Sequence, residues 1–287
     1  MEIAMMKTYY YMVAGHRFAV HGSEQTGTMM ENYKPFVVEG GDTLFDLTVR
    51  KGERVSYDEE MRQEDEGQDI ICGRTAEGSP VFEFRWAERT AGWLVCDADY
   101  RQATLTVSGY AEKMAVDNAL MVLYALATAG EQTALFHSST VSYQGRAYMF
   151  LGKSGTGKST HSGLWLKHIE GTELVNDDNP VVRLVDGEAR VYGSPWSGKT
   201  PCYRNVSYPV GGIVQLSQAP YNKIQRLQGI KAYAALVPSI SGMRWDSRIA
   251  NGLHQTENLL AGRVAMWHLE CLPDEAAARL CNETIAK

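Results

Sequence analysis

Two stretches of this chain hold the residue types and spacing of a phosphate cradle. In FLGKSGTGKST, residues 150–160, an apolar run enters a glycine-rich turn that closes on a lysine and two hydroxyls. The spacing Gly152-x-x-x-x-Gly157-Lys158-Ser159 fits a Walker A loop, whose glycines let successive backbone N–H groups converge on a phosphate that side chains would otherwise block. Gly152, Ser154, Gly155, Thr156, Gly157, Lys158, Ser159 and Thr160 are therefore the candidate nucleotide-binding residues. The stretch GSPWSGKT fits the same formula, as Gly193-x-x-x-x-Gly198-Lys199-Thr200.

The elements on either side separate the two. A phosphate cradle needs a strand before it and, after it, a helix whose free N–H groups and positive dipole end face the anion. RAYMFL before the first loop is a short apolar and aromatic run suited to a buried strand. STHSGLWLKHI after it has one apolar side and no proline until Pro180, so a helix is predicted. After the second match, Pro201 pushes Thr200 away from helical angles, and CYRNVSYP shows no helical period. The first loop is the cradle. The second is an accessory loop or a coincidence.

Such a loop binds nucleotide weakly without magnesium, whose oxygen shell here would come from Ser159 and a carboxylate at the end of a neighbouring strand. ELVNDD supplies two, Asp177 and Asp178, about twenty residues after Lys158. One would hold the metal, directly or through water. The other, beside a dication, would accept a proton from a substrate hydroxyl as general base; the sequence leaves open which does which. The bland alternative is an Asp/Asn/Pro turn, which these residues also favour. His137, in ALFHSST, precedes Gly152 by 15 residues and is expected on the strand that pairs with RAYMFL, although a lone strand histidine is usually structural. Lys199 and Arg204 lie in a segment that two prolines and two glycines keep irregular. It follows EARVYG, the expected hairpin partner of the strand after Asp178. Either cation would thus reach the γ-phosphate or the acceptor, unless the segment is a solvated turn.

The elements that position these groups follow from pattern. Residues 1–110 read as short strands, KTYYYMVAG, KPFVVEG, DTLFDLTVR, DIICG, VFEFRWAE, GWLVCDA and ATLTVSG, a β-rich region. Within it, residues 57–69 carry seven acidic side chains against one arginine and are expected to be a solvated loop. From about residue 111 a helix of four or five turns is predicted, then TALFHSSTVSY, the loop and its helix, ELVNDD, and the PVVRLV/EARVYG hairpin. GGIVQLSQA and VAMWHLEC follow as strands, with helices in KAYAALVPSI, SRIANGLHQTENLLAG and PDEAAARLCNETI. The result is an α/β chain with a β-rich region over 1–110 and a nucleotide-binding domain over 111–287. A net charge of −6 argues against a nucleic-acid partner. The longest apolar run, Ala119 to Ala127, is short of the ~20 residues that span a bilayer, and no signal-peptide pattern opens the chain, so the expected location is the cytoplasm. The five cysteines form no C-x-x-C pair. His161 and His168, seven apart, are expected on a packing or solvated face and not on zinc.

GKSGTGKST, the NDD aspartates and the preceding LFHSSTVSYQGRAYMFLGKSG together resemble the HPr kinase/phosphorylase and phosphoenolpyruvate carboxykinase superfamily, and most nearly its HPr-kinase-related proteins. The resemblance covers roughly residues 131–200 and says little about residues 1–110. It implies a P-loop kinase core of that type, ATP and Mg2+ as cofactors, and phosphate and magnesium bound by Gly155, Gly157, Lys158, Ser159 and Thr160. It also implies that Asp177 and Asp178 share metal binding and general-base work and that His137 lies near the γ-phosphate. The acidic EIRGLG-type signature of the protein-phosphorylating members has no counterpart here. The expectation is an ATP-dependent kinase acting on a hydroxyl of a small molecule or peptide. The alternatives are a nucleotide-binding regulatory module without significant turnover and a carboxykinase-like enzyme.

Overall fold

The apolar, β-branched and aromatic runs of the first hundred residues form strands, as their composition dictates. The computed structural model of the protein describes residues 5–65, 67–198 and 200–286. These fall into two units, Met1–Ala127 and Thr128–Lys287. The first holds β1 (Lys7–Val13), β2 (His16–Gly22), α1 (Glu24–Met29), β3 (Phe45–Lys51), β4 (Asp58–Asp65), β5 (Gln68–Arg74), β6 (Pro80–Trp86), β7 (Arg89–Cys96), β8 (Gln102–Val107) and α2 (Glu112–Thr128). Its eight strands make one sheet in the order β1-β2-β3-β8-β7-β6-β5-β4. The pairs β2/β3 and β3/β8 are parallel and the rest antiparallel.

Three expectations for this region change. The acidic stretch is not a loop. Asp58–Asp65 of it forms β4, paired with β5 at the sheet's edge through a register shift between Glu59 and Met61. Exposed charge there is compatible with strand structure because only one side of an edge strand is paired, and it also blunts the free edge against association. KPFVVEG is not a strand either. Glu31–Phe36 is a 3-10 helix around Pro35 that buries Phe36. The division between units falls at 127/128 instead of about 110, because α2 seats its apolar side on the first sheet. There the Tyr124 hydroxyl donates to Val13 O over 3.1 Å, and the Tyr124 ring meets Phe18 and Phe45 edge-on.

The second unit holds β9 (Thr133–Leu135), β10 (Ser138–Tyr143), β11 (Arg146–Leu151), α3 (Lys158–His168), β12 (Glu173–Asp178), β13 (Val181–Val185), β14 (Glu188–Tyr192) and β15 (Ser207–Gln218). After them come β16 (Lys223–Leu227), α4 (Ile230–Leu236), α5 (Ser247–Arg263), β17 (Met266–Cys271) and α6 (Glu275–Ile285). The strands run β12-β10-β11-β15-β14-β13-β9, and β17 joins β15 with β16 outside it. β11, β15 and β17 are mutually parallel, so their carboxyl ends open on one edge. After its first residue, β11 is buried throughout, as its unbroken apolar run requires of a strand covered on both faces. Phe150, Val214, Trp267 and Leu269 turn one face toward Trp165 of α3 and Ala278, Cys281 and Ile285 of α6. The single strand expected over TALFHSSTVSY breaks at Phe136–His137. β9 turns to β13 and β10 to β11 and β12, while His137 N donates to Ser239 O over 2.7 Å. Among the described residues, no helix is long and apolar enough to cross a membrane.

Candidate active site

The buried strand β11 delivers the chain to the glycine-rich loop, and α3 carries it away. Gly157, at φ 105°, is the residue that turns the loop into the helix, a left-handed conformation that L side chains rarely adopt. Lys158 and Ser159 then occupy the first turn of α3, beside the helix N–H groups that have no partner within the helix. The loop braces itself through Thr156, whose Oγ1 donates to Lys153 O over 2.6 Å, and is tied to the sheet by Gln218 Nε2, which donates to Gly155 O over 3.2 Å.

Lys158 is buried, and its ammonium donates to Gly152 O at 3.1 Å and lies 2.9 Å from His137 Nε2. An ammonium only donates, so His137 accepts at Nε2 and carries its proton on Nδ1, which lies 2.9 Å from Asp178 Oδ1. Ser159 Oγ donates to Asp177 Oδ1 over 2.8 Å. The loop's lysine and hydroxyl thus each meet one member of the His137/Asp177/Asp178 set, although these residues come from three separate stretches of chain. The register explains it: Ser139 faces Asp177 and Ser138 faces Asp178 across β10/β12, and Ser138 faces Leu151 across β10/β11. The end of β12 and the start of β10 therefore lie beside the point where β11 releases the loop.

Asp178 has a φ of +134°, an unfavourable backbone state for a residue with a side chain. What holds it is a network that sequence reasoning missed. Asn176, fully buried, donates from Nδ2 to Trp196 O (3.0 Å) and Ser194 Oγ (3.2 Å), while its Oδ1 accepts from Asn179 N (2.8 Å). Gly198 N donates to Asp177 O over 2.6 Å, Ser197 Oγ donates to the same carbonyl over 3.1 Å, and Ser197 pairs with Asp178 as an isolated bridge. The second glycine-rich loop is therefore packed against the aspartates. Its Gly193 is required by close approach, since a Cβ there would stand 2.0 Å from Arg204 O. The signal available in the sequence was the asparagine before the aspartate pair, which reads as part of a turn.

Not every candidate converges. Arg204 lies at the opposite end of β12 from the aspartates, donating to Leu174 O (2.6 Å) and paired with Glu173 (2.7 Å). Lys199 lies outside the described residues. His161 faces inward from α3, with Trp165 Nε1 donating to its Nε2 over 3.2 Å and the Phe150 ring packed edge-on. Its Nδ1 proton is buried without an acceptor, and burial pushes the imidazole pKa down to about 4. That is a neutral packing histidine.

The donor set suits magnesium. A serine hydroxyl and a carboxylate are hard oxygen ligands, the kind magnesium prefers. Magnesium binds in this manner, taking one or two protein oxygens and completing its shell with phosphate oxygens and water.

Fold and geometry define a mixed α/β protein whose second unit sets a glycine-rich loop, a lysine, a hydroxyl and two carboxylates at one sheet edge. No protein-family model and no curated protein matches the chain. Among solved structures it is similar to the Hpr(Ser) kinase/phosphatase from Coxiella burnetii, at 10% identity and a TM-score of 0.31, over 53% of this chain and 93% of that one. At that TM-score the likeness carries no weight for fold or for function.

Proposed function

We propose that the second unit is a Mg-ATP-dependent phosphotransferase that moves the γ-phosphoryl group to a hydroxyl of a small molecule or peptide. The observation that carries this reading is the Ser159–Asp177 contact of 2.8 Å beside a buried lysine in the first turn of α3. A loop hydroxyl and a strand-end aspartate at that distance would hold a magnesium ion, which would neutralise phosphate charge.

In this reading the backbone N–H groups of Gly155–Ser159 and the Lys158 ammonium hold the phosphates. On binding, Lys158 exchanges its carbonyl partners Gly152 O and Lys153 O for phosphate oxygens. Magnesium supplies charge neutralisation at the transferring group and would be held by Ser159 and Asp177. Asp178, one-third exposed and turned toward His137, accepts the proton of the acceptor hydroxyl. The acceptor oxygen forms the new bond to the γ-phosphorus as the bond from phosphorus to the β,γ-bridging oxygen breaks, and ADP leaves with that electron pair. His137, fixed by its own backbone to Ser239 O, touches Lys158 with one ring nitrogen and the base with the other.

The test is a screen of hydroxylated metabolites, amino acids and peptides for acceptor-dependent ADP release. Release that requires both Mg2+ and an acceptor supports the phosphotransferase. ATP binding with no acceptor-dependent release across the screen favours a nucleotide-binding regulatory module, and ATP consumption that depends on oxaloacetate favours a carboxykinase-like enzyme.

A further inference from the structure

Beside the loop, on the flank away from the aspartates, lies a cleft of about 510 Å3 bounded by residues 152–156 and by Gln215, Ser217, Gln218 and His268. We propose that this cleft is the nucleoside subsite, receiving the base and ribose of the nucleotide whose phosphates the loop holds. The proposal rests on the nucleotide reading above and adds the residues that recognise the organic half of the ligand.

Three observations support it. The first is direction. In the order β12-β10-β11-β15, with β17 beyond, the carboxylates and His137 lie to one side of β11 and the cleft to the other. If the γ-phosphate lies at the Asp177/Asp178 side, a nucleotide anchored at Lys158 must extend its nucleoside toward β15 and β17. The parallel strands β11, β15 and β17 end together there, at the edge where open α/β sheets receive ligands.

The second is chemistry. The residues bounding the cleft include no acid and one cation, Lys153, and the amide, hydroxyl and imidazole groups of Gln215, Gln218, Ser217 and His268 suit a base and a ribose. Gln215 and His268 are register partners across β15/β17, and both project from the face opposite the Val214/Leu216/Trp267/Leu269 core. Ser217 Oγ lies 2.8 Å from His268 Nε2 and Gln225 Nε2 lies 3.5 Å from its Nδ1, which together set the ring's orientation. The Gln215 carboxamide has no partner among the described residues, so both its donor and its acceptor are available to a base edge. The third is coupling. Gln218 joins the cleft to the loop through its bond to Gly155 O, so occupancy of one bears on the geometry of the other.

The experiment compares two probes by calorimetry in the presence of Mg2+, ATP and inorganic tripolyphosphate, on the full chain and on Gln215→Ala and His268→Ala. Both side chains are partly exposed, so the variants should fold, and retained tripolyphosphate binding verifies it. We expect each variant to weaken ATP by about three- to tenfold, the effect of one or two neutral hydrogen bonds, and to leave tripolyphosphate unchanged. ATP and tripolyphosphate weakened alike, or ATP unaffected in both variants, overturns the subsite while leaving the phosphate reading intact. A wild-type protein that binds neither probe overturns the nucleotide reading and the subsite with it.

Discussion

Replacing Asn176 by alanine should loosen the second glycine-rich loop and, with it, the strained turn that presents Asp178. The Asn176 side chain makes four hydrogen bonds from a fully buried position: to Trp196 O, to Ser194 Oγ, a long one of 3.5 Å to Cys202 O, and from Asn179 N. Trp196 O keeps a second partner, because Ser194 Oγ stays within 3.0 Å, but Asn179 N loses its acceptor. Two lost bonds at about 1 kcal/mol each, and up to about 2 kcal/mol for the partly exposed N–H left unsatisfied, give roughly 2–4 kcal/mol. If that energy holds residues 193–198 and 200–202 closed, their amides should exchange with solvent about 30-fold faster or more in the variant, while amides of α3 change far less. Hydrogen–deuterium exchange resolved by peptide reads both. Acceleration below about threefold across those residues would refute the claim that this asparagine anchors the loop.

The remaining expectations concern chemistry and charge. Asp177→Asn and Asp178→Asn should each lower turnover at least ~100-fold, with the first also raising the Mg2+ concentration that turnover needs, as acceptor-dependent ADP release at varied Mg2+ will show. Arg204→Ala should leave ATP binding unchanged and cost under about 1 kcal/mol in chemical unfolding, because its carboxylate partner Glu173 is exposed and distant from the loop. His161, whose folded pKa of about 4 lies below its unfolded 6.5, makes the unfolded state bind more protons between those values. Stability is then fully present above about pH 6.5 and falls as pH drops toward 4, by up to about 3 kcal/mol, and His161→Gln should flatten that dependence in unfolding curves taken at pH 7 and pH 5.

What could be read without coordinates was whatever a short stretch of chain encodes by itself. RAYMFL is apolar at every position after the arginine and forms a doubly covered strand, and the glycine spacing that follows forms the turn into α3. The PVVRLV/EARVYG hairpin is specified by its Asp186-Gly187 turn and forms as expected. The misreadings came where tertiary pairing overrides local composition. Charge density made residues 57–69 look like a loop, yet Asp58–Asp65 finds backbone partners along β5, interrupted only by a register shift between Glu59 and Met61. Apolar KPFVVEG looked like a strand, yet its first three residues end a 3-10 helix and only Val37 bridges to Tyr11 of β1. The partners of Arg204 were invisible for the same reason: Glu173 is 31 residues away, and only the close packing of the loop onto β12 brings them together.

Titration of Mg-ATP into the intact protein and into Lys158→Ala, by calorimetry, addresses the central claim most directly. Lys158 is a buried cation at the first turn of α3 whose ammonium meets two loop carbonyls and His137, and its removal should eliminate a phosphate contact in a protein that still folds. The account predicts saturable, Mg2+-dependent ATP binding by the intact protein and its loss in the folded variant. Equal affinity in the two, or no binding by the intact protein, would contradict the assignment of this loop to a nucleotide.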